Sequence, residues 1–172
     1  MKIIFLDIDG VLNSNASTNR AVRKDPRKQH EIRYDAPDPI YIRRLNTLIK
    51  KTGAKIVISS AWRSDCSILM FWRYFDLLGL RGDIIGKTRL MDARRGTEIL
   101  CWLLEHKSWL EKRDTDSSWG REKAYPVESF VILDDDDDME MLSNHLVLVE
   151  DGLQDKHVKL AIEKLNKPNL YQ

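Results

Sequence analysis

Cysteine is scarce in this chain of 172 residues: Cys66 and Cys101 stand apart, with no Cys-x-x-Cys or Cys/His spacing around either. That disfavours both a disulfide framework and a zinc site, and it points to a reducing, cytoplasmic setting. No apolar run approaches the ~20 residues that span a bilayer, and the chain enters a strand-like run at once, so neither a membrane anchor nor a signal peptide is expected. An excess of one charge is also lacking. The 28 Lys and Arg against 27 Asp and Glu leave a formal +1, so any attraction to nucleic acid must be local. Internal repeats and low-complexity tails are absent. What remains is an ordinary globular composition, 42% hydrophobic and 32% charged, in a length suited to one domain over 1–172.

The chain is organised around KIIFLDIDGVLN, Lys2 to Asn13. Ile3, Ile4, Phe5 and Leu6 form the continuous apolar run of a strand buried on both faces. Asp7 and Asp9 follow at its tip, starting on the same side of the chain, and Gly10 lets the backbone turn sharply behind them. Two carboxylates this close repel unless a cation or a shared proton relieves them, which asks for a divalent metal. Asp-x-Asp-Gly can also be a plain turn that closes a strand. A calcium loop of the EF-hand type would need a Glu at the twelfth position, where this chain has Thr18.

The polar stretch 14–38 carries Arg20, Arg23, Lys24, Arg27, Lys28, His30 and Arg33, and reads either as a basic flap over the acidic tip or as a solvated loop. Asp38 and Pro39 then open a helix with Ile42, Leu45, Leu48 and Ile49 on one face, ending at Gly53. A second buried strand, KIVIS, leads into Ser59-Ser60-Ala61-Trp62-Arg63. A hydroxyl at a strand's carboxyl end can bind a phosphate oxygen, or it can simply cap the next helix. Residues 64–78 predict a helix whose Ile68, Leu69, Phe71, Trp72, Phe75 and Leu78 either face the core, the commoner case, or form a small hydrophobic cap. A short strand at Ile84-Ile85 precedes Lys87, Arg89, Arg94 and Arg95, and a helix carrying Ile99, Leu100, Trp102, Leu103 and Leu104 begins after them. A cation at a helix start is unfavourable unless an anion lies near, so Arg95 is a candidate anion partner, with a solvated arginine as the alternative. The polar stretch 107–126 reads as a variable insertion.

The strand Glu128 to Leu133 ends in five consecutive carboxylates, Asp134 to Asp138. Such a run can be a solvated face, but set between an apolar strand and the apolar Met139, Met141 and Leu142, concentrated like charge favours relief by a cation. A last strand at 145–149 and a helix with Leu160, Ile162 and Leu165 close the chain. Strands and helices alternate throughout, which predicts an α/β fold: a Rossmann-like three-layer sandwich with a mostly parallel sheet and little cap structure. Ligands of such sheets bind at the carboxyl ends of the strands, where Asp7, Ser59 and Asp134 would converge.

The motifs FLDIDGVLN, VISSAWR, a basic residue ahead of a helix, and VILDDDDDM, in this order, resemble the haloacid dehalogenase (HAD) superfamily of phosphohydrolases over nearly the whole chain. Within it, FLDIDGVLN, SSAWR, RGTEILCWL and ILDDDDDM look most like the small phosphatase domains of RNA repair proteins, with polynucleotide kinase-phosphatases as more distant relatives. The resemblance implies that Asp7 is the nucleophile and Asp9 the proton donor and then base. It also implies that Ser59 binds the transferring phosphoryl group and that Arg95 or Lys87 neutralises its charge. Gly10, Ser60, Arg63 and Lys87 are the expected substrate contacts. Mg²⁺ would be held by Asp7, the Asp9 carbonyl, and Asp134 or Asp135, with Asp138 in reserve. The implied activity is a Mg²⁺-dependent phosphomonoesterase with phosphorylated substrates such as RNA or DNA ends and no membrane partner. A small-molecule phosphatase and a catalytically silent nucleic-acid-binding module are the alternatives.

Overall fold

The structure is a computed structural model that describes residues 1–17, 36–112 and 127–167, with side chains omitted at 107–112. Of the predicted flap, residues 18–35 lie outside this range, as do 113–126 of the predicted insertion. Strand β1 (Lys2–Leu6) is the apolar run of the opening motif. Helix α1 (Pro39–Thr52) starts where the sequence demands it: the Asp38 carboxylate accepts from Ile40 N at 2.6 Å, and proline occupies the first turn. It stops at Gly53, whose left-handed φ of 68° lets its N–H donate to Ile49 O. Strand β2 (Lys55–Ile58) runs into a short 3-10 turn, Ala61–Ser64, which is followed by α2 (Ile68–Leu77) and β3 (Ile84–Lys87). Helix α3 (Arg95–Lys112), β4 (Ser129–Asp134), a 3-10 segment Glu140–His145, β5 (Leu146–Leu148) and α4 (Asp155–Asn166) complete the order.

All strand pairs are parallel, in the order β3-β2-β1-β4-β5, so the predicted mostly parallel sheet is wholly parallel. The period of two along β1 divides its side chains between two cores. Ile4 and Leu6, with Ile56, Ile58, Val131 and Leu133, pack against α1, α2 and α4. Ile3 and Phe5, with Val57, Phe130 and Ile132, pack against Ile99, Trp102 and Leu103 of α3 and against Leu142. Each large apolar side chain so buried contributes about 1.5–3 kcal/mol. The chain builds one half of the sheet outward from β1, then crosses back to lay β4 on its other side. Strand order therefore reverses at β1, and the crevice opens at the carboxyl ends of β1, β2 and β4.

Two expectations about helices are corrected. The helix predicted over 64–78 is split, with the Ser67 hydroxyl capping α2 at Met70 N, and of its apolar residues only Phe71 and Phe75 are buried within α2. Leu69 and Trp72 are 58% and 54% exposed, because α2 lies against the edge strand β3 and only its i, i+4 stripe reaches the core. Helix α3 runs through Lys112 instead of ending before 107, and its Leu104 points outward. The closing helix α4 stands where the sequence expects it, with His157, Val158, Ala161 and Leu165 buried and Leu160 exposed. No helix among the described residues is long and apolar enough to cross a membrane.

Candidate active site

The β1 strand carries its hydrogen bonding one residue past its end, with Asp7 N donating to Leu133 O at 2.9 Å, and so sets Asp7 beside the tip of β4. Asp134 closes β4. Asp7 and Asp134 are 4% and 1% exposed, Asp135 is exposed, and one carboxylate oxygen of each lies within 4.8 Å of the others. The approach of Asp135 depends on Gly10: a Cβ there would stand 2.1 Å from Asp135 Oδ2, and the φ of +70° already favours glycine.

Burial is the main force on these acids. It pushes Asp7 up from 3.8 to about 6, against the opposing pull of Arg95, with the charges of Asp135 and Asp9 adding to the rise. Burial, followed by the charge of Asp7, pushes Asp134 up to about 7. The cation that answers them opens α3. Arg95 Nη1 donates to Asp7 Oδ1 at 3.1 Å and to the Ser59 carbonyl, and its Nε stands 3.9 Å from Asp134 Oδ2. Burial pulls this guanidinium down, and Asp134 and Asp7 more than reverse that, so it stays charged. The Ser59 hydroxyl is fully buried at the end of β2 with no hydrogen-bond partner, and Asp134 Oδ2 likewise has none. Arg63 Nε, Thr88 Oγ1, Asp138 Oδ1 and His145 Nδ1 are also buried without a hydrogen-bond partner; what sets the Ser59 and Asp134 atoms apart is their place at the strand ends beside Asp7 and Arg95.

Carboxylates, serine and arginine thus meet at the carboxyl ends of β1, β2 and β4. The model of the HAD domain in Swiss Army Knife RNA repair proteins matches residues 3–158. The chain belongs to that family. No curated protein matches the sequence. Membership of the HAD superfamily points to hydrolase chemistry in general terms, and the cluster of Asp7, Asp134 and Asp135 is one that could bind a metal.

Other expected site residues of this HAD domain sit elsewhere. Arg63 is 4% exposed, donates to the Ser59 and Ser60 carbonyls, and forms a buried ion pair with Glu98 of α3. It therefore ties the β2 loop to α3 through both terminal guanidinium nitrogens, while its buried Nε has no hydrogen-bond partner. Lys87 donates to the carbonyls of Arg63 and Cys66, both at 2.8 Å, and thus braces the same loop. Ser60 caps the 3-10 turn, its hydroxyl accepting from Trp62 N at 3.4 Å. Arg89 pairs with Glu105 at 3.2 Å, and Arg94 is exposed. Asp138 caps α3, accepting from Arg95 N at 3.1 Å. The carboxylate of Asp9 is directed to Asn13 and Trp62 and takes no part in the acidic cluster. Sequence reasoning passed over Asn13, Trp62 and Glu98. Asn13 follows Asp9 by four residues within one tight turn and was legible in principle, whereas Trp62 and Glu98 act across loops distant in sequence.

Proposed function

We propose that this HAD domain is a Mg²⁺-dependent phosphomonoesterase that works through an aspartyl-phosphate on Asp7 and removes 3′-phosphates from RNA or DNA ends. The observation that carries the reading is the meeting of Asp7, the Arg95 guanidinium 3.1 Å from it, and the unpartnered Ser59 hydroxyl at adjacent strand ends. An Asp7 oxygen attacks phosphorus and the bond to the substrate oxygen breaks, while Asp9 delivers the proton that oxygen needs. Water then attacks the aspartyl-phosphate, Asp9 takes a proton from it, and phosphate leaves with the Asp7 carboxylate restored. Ser59 donates to a phosphoryl oxygen, and Arg95 balances charge on the transferring group.

The donor set fits a hard divalent cation. Its three carboxylates offer only oxygen, lie within 4.8 Å of one another, and include Asp134 Oδ2, which is buried without a hydrogen bond. Asp7, Asp134 and Asp135 would hold Mg²⁺, with the Asp9 carbonyl as a further oxygen. When bound it supplies neutralisation of the repulsion between a carboxylate and a phosphate dianion. The nucleic-acid end as substrate rests on the family's association with RNA repair.

The test is phosphate release with Mg²⁺ from a 3′-phosphorylated oligonucleotide, a 5′-phosphorylated one, a mononucleotide and an aryl phosphate, with Asp7→Asn as control. Release from the 3′ end that vanishes in Asp7→Asn is the expected result. Release from the mononucleotide or aryl phosphate alone would reassign the domain to small molecules. Salt-sensitive oligonucleotide binding with no release from any substrate would make it a binding module.

A further inference from the structure

Asp9 is exposed on the turn after β1, yet donors from two different loops engage both of its carboxylate oxygens. Oδ1 accepts from the Asn13 amide at 2.8 Å, and Oδ2 accepts from the Trp62 indole N–H at 2.9 Å. Each donor is itself held. Asn13 is 6% exposed, and its amide oxygen accepts from Gly10 N at 2.9 Å, which aims its nitrogen at Asp9. The Trp62 backbone N–H is capped by Ser60, its ring lies 6.1 Å from the Tyr74 ring, and part of its surface packs on the core beneath α1 and α2.

An indole has one polar hydrogen and no acceptor, so the bond to Asp9 accounts for all the hydrogen bonding this side chain can do. Trp72 offers the contrast: its N–H goes to a backbone carbonyl, Ile84 O, at 2.7 Å, which satisfies the ring and nothing more. Trp62 instead reaches across 53 residues to a carboxylate at the mouth of the crevice. A surface aspartate turns readily about its two side-chain torsions. Two anchored donors on its two oxygens remove that freedom, and proton transfer requires the group to stay within about 2.6–3.2 Å of the atom it serves.

We propose that Trp62 and Asn13 are positioning residues that hold the Asp9 carboxylate in one orientation for proton transfer to the leaving oxygen, a role that rests on the phosphatase reading above. Trp62→Phe keeps the aromatic packing and removes only the donor. The test compares kcat/KM with Mg²⁺ for the wild type, Trp62→Phe, Asn13→Ala and, as reference, Asp9→Asn. The two substrates are a 3′-phosphorylated oligonucleotide, whose leaving alkoxide needs a proton, and 4-nitrophenyl phosphate, whose leaving group needs little help. This constant reports the steps through departure of the leaving group, where the proton is given.

The expected result is a loss about tenfold greater on the oligonucleotide than on the aryl phosphate for Trp62→Phe, a fraction of the ~10²–10⁴ that general acid catalysis supplies. Asn13→Ala shows the same bias, and Asp9→Asn shows it more strongly. A merely structural role lowers both substrates alike. Equal losses on both, or none on either, in whichever of the two positioning variants melts as the wild type does, overturn the clamp while leaving the phosphatase reading intact. A wild type that releases phosphate from neither substrate overturns both.

Discussion

Neutralising Glu98 in Glu98→Gln leaves the Arg63 guanidinium charged in a site where the pair is only 4% and 3% exposed at its side chains. Water cannot take over, and the position is already crowded with cations, because Arg63 and Arg95 both donate to the Ser59 carbonyl. The glutamine oxygen can retain the bond that Glu98 accepts from Met91 N, but its NH2 then meets the Arg63 donor, so the variant removes the charge together with the hydrogen bond that carried it. Removing one partner of a buried ion pair costs about 3–5 kcal/mol. At about 2–4 °C per kcal/mol for a chain of this size, Tm should fall by roughly 6–20 °C. Thermal and urea melts with Mg²⁺ read this directly. The double variant Arg63→Met, Glu98→Leu supplies the control, since replacing both charges with apolar groups of similar volume is often neutral or stabilising. A loss below about 1 kcal/mol in Glu98→Gln, the range of exposed pairs, would refute the buried-charge reasoning. So would a double variant as unstable as the single one.

Stability without metal should fall as pH rises. Burial holds Asp7 up to about 6 and Asp134 up to about 7, whereas the unfolded chain releases these protons near 3.8. The native state therefore binds more protons across that window, the stabilisation is complete below it, and it is lost as pH passes the folded values. Melts in EDTA at pH 5 and pH 8 should show the drop, and Mg²⁺ should reduce it and bind more tightly at the higher pH. Burial pulls His145 and His157 down and so opposes this trend near neutral pH; a profile in EDTA that Asp134→Asn leaves unchanged would contradict the assignment. Gly10→Ala should add about 1–2 kcal/mol of left-handed strain and push Asp135 away, weakening Mg²⁺ binding by calorimetry. Arg95→Met should lower kcat about 10²–10³-fold, as loss of a preorganised charge partner does, and an unchanged kcat would remove Arg95 from the site.

Much of this architecture is local and could be read along the chain. The apolar runs at Ile3 to Leu6 and at Lys55 to Ile58 demand strands buried on both faces, and Asp38, Pro39 and Gly53 mark the ends of α1 because capping depends only on neighbouring backbone. The order of motifs was equally legible and agrees with the family match. The tertiary structure decided among residues that spacing left equivalent. Arg95 reaches Asp7, while Lys87, two residues before Arg89 and eight before Arg95, turns back to brace the loop after β2. Arg63, expected at the substrate, is claimed by Glu98 from 35 residues away. Asp134 and Asp135 join Asp7, whereas Asp138 in the same run caps α3. Five consecutive identical side chains carry no internal signal of which will meet a partner. Propensity and period act within a few residues of one another, whereas the choice of partner for a charge depends on which elements the sheet order sets side by side.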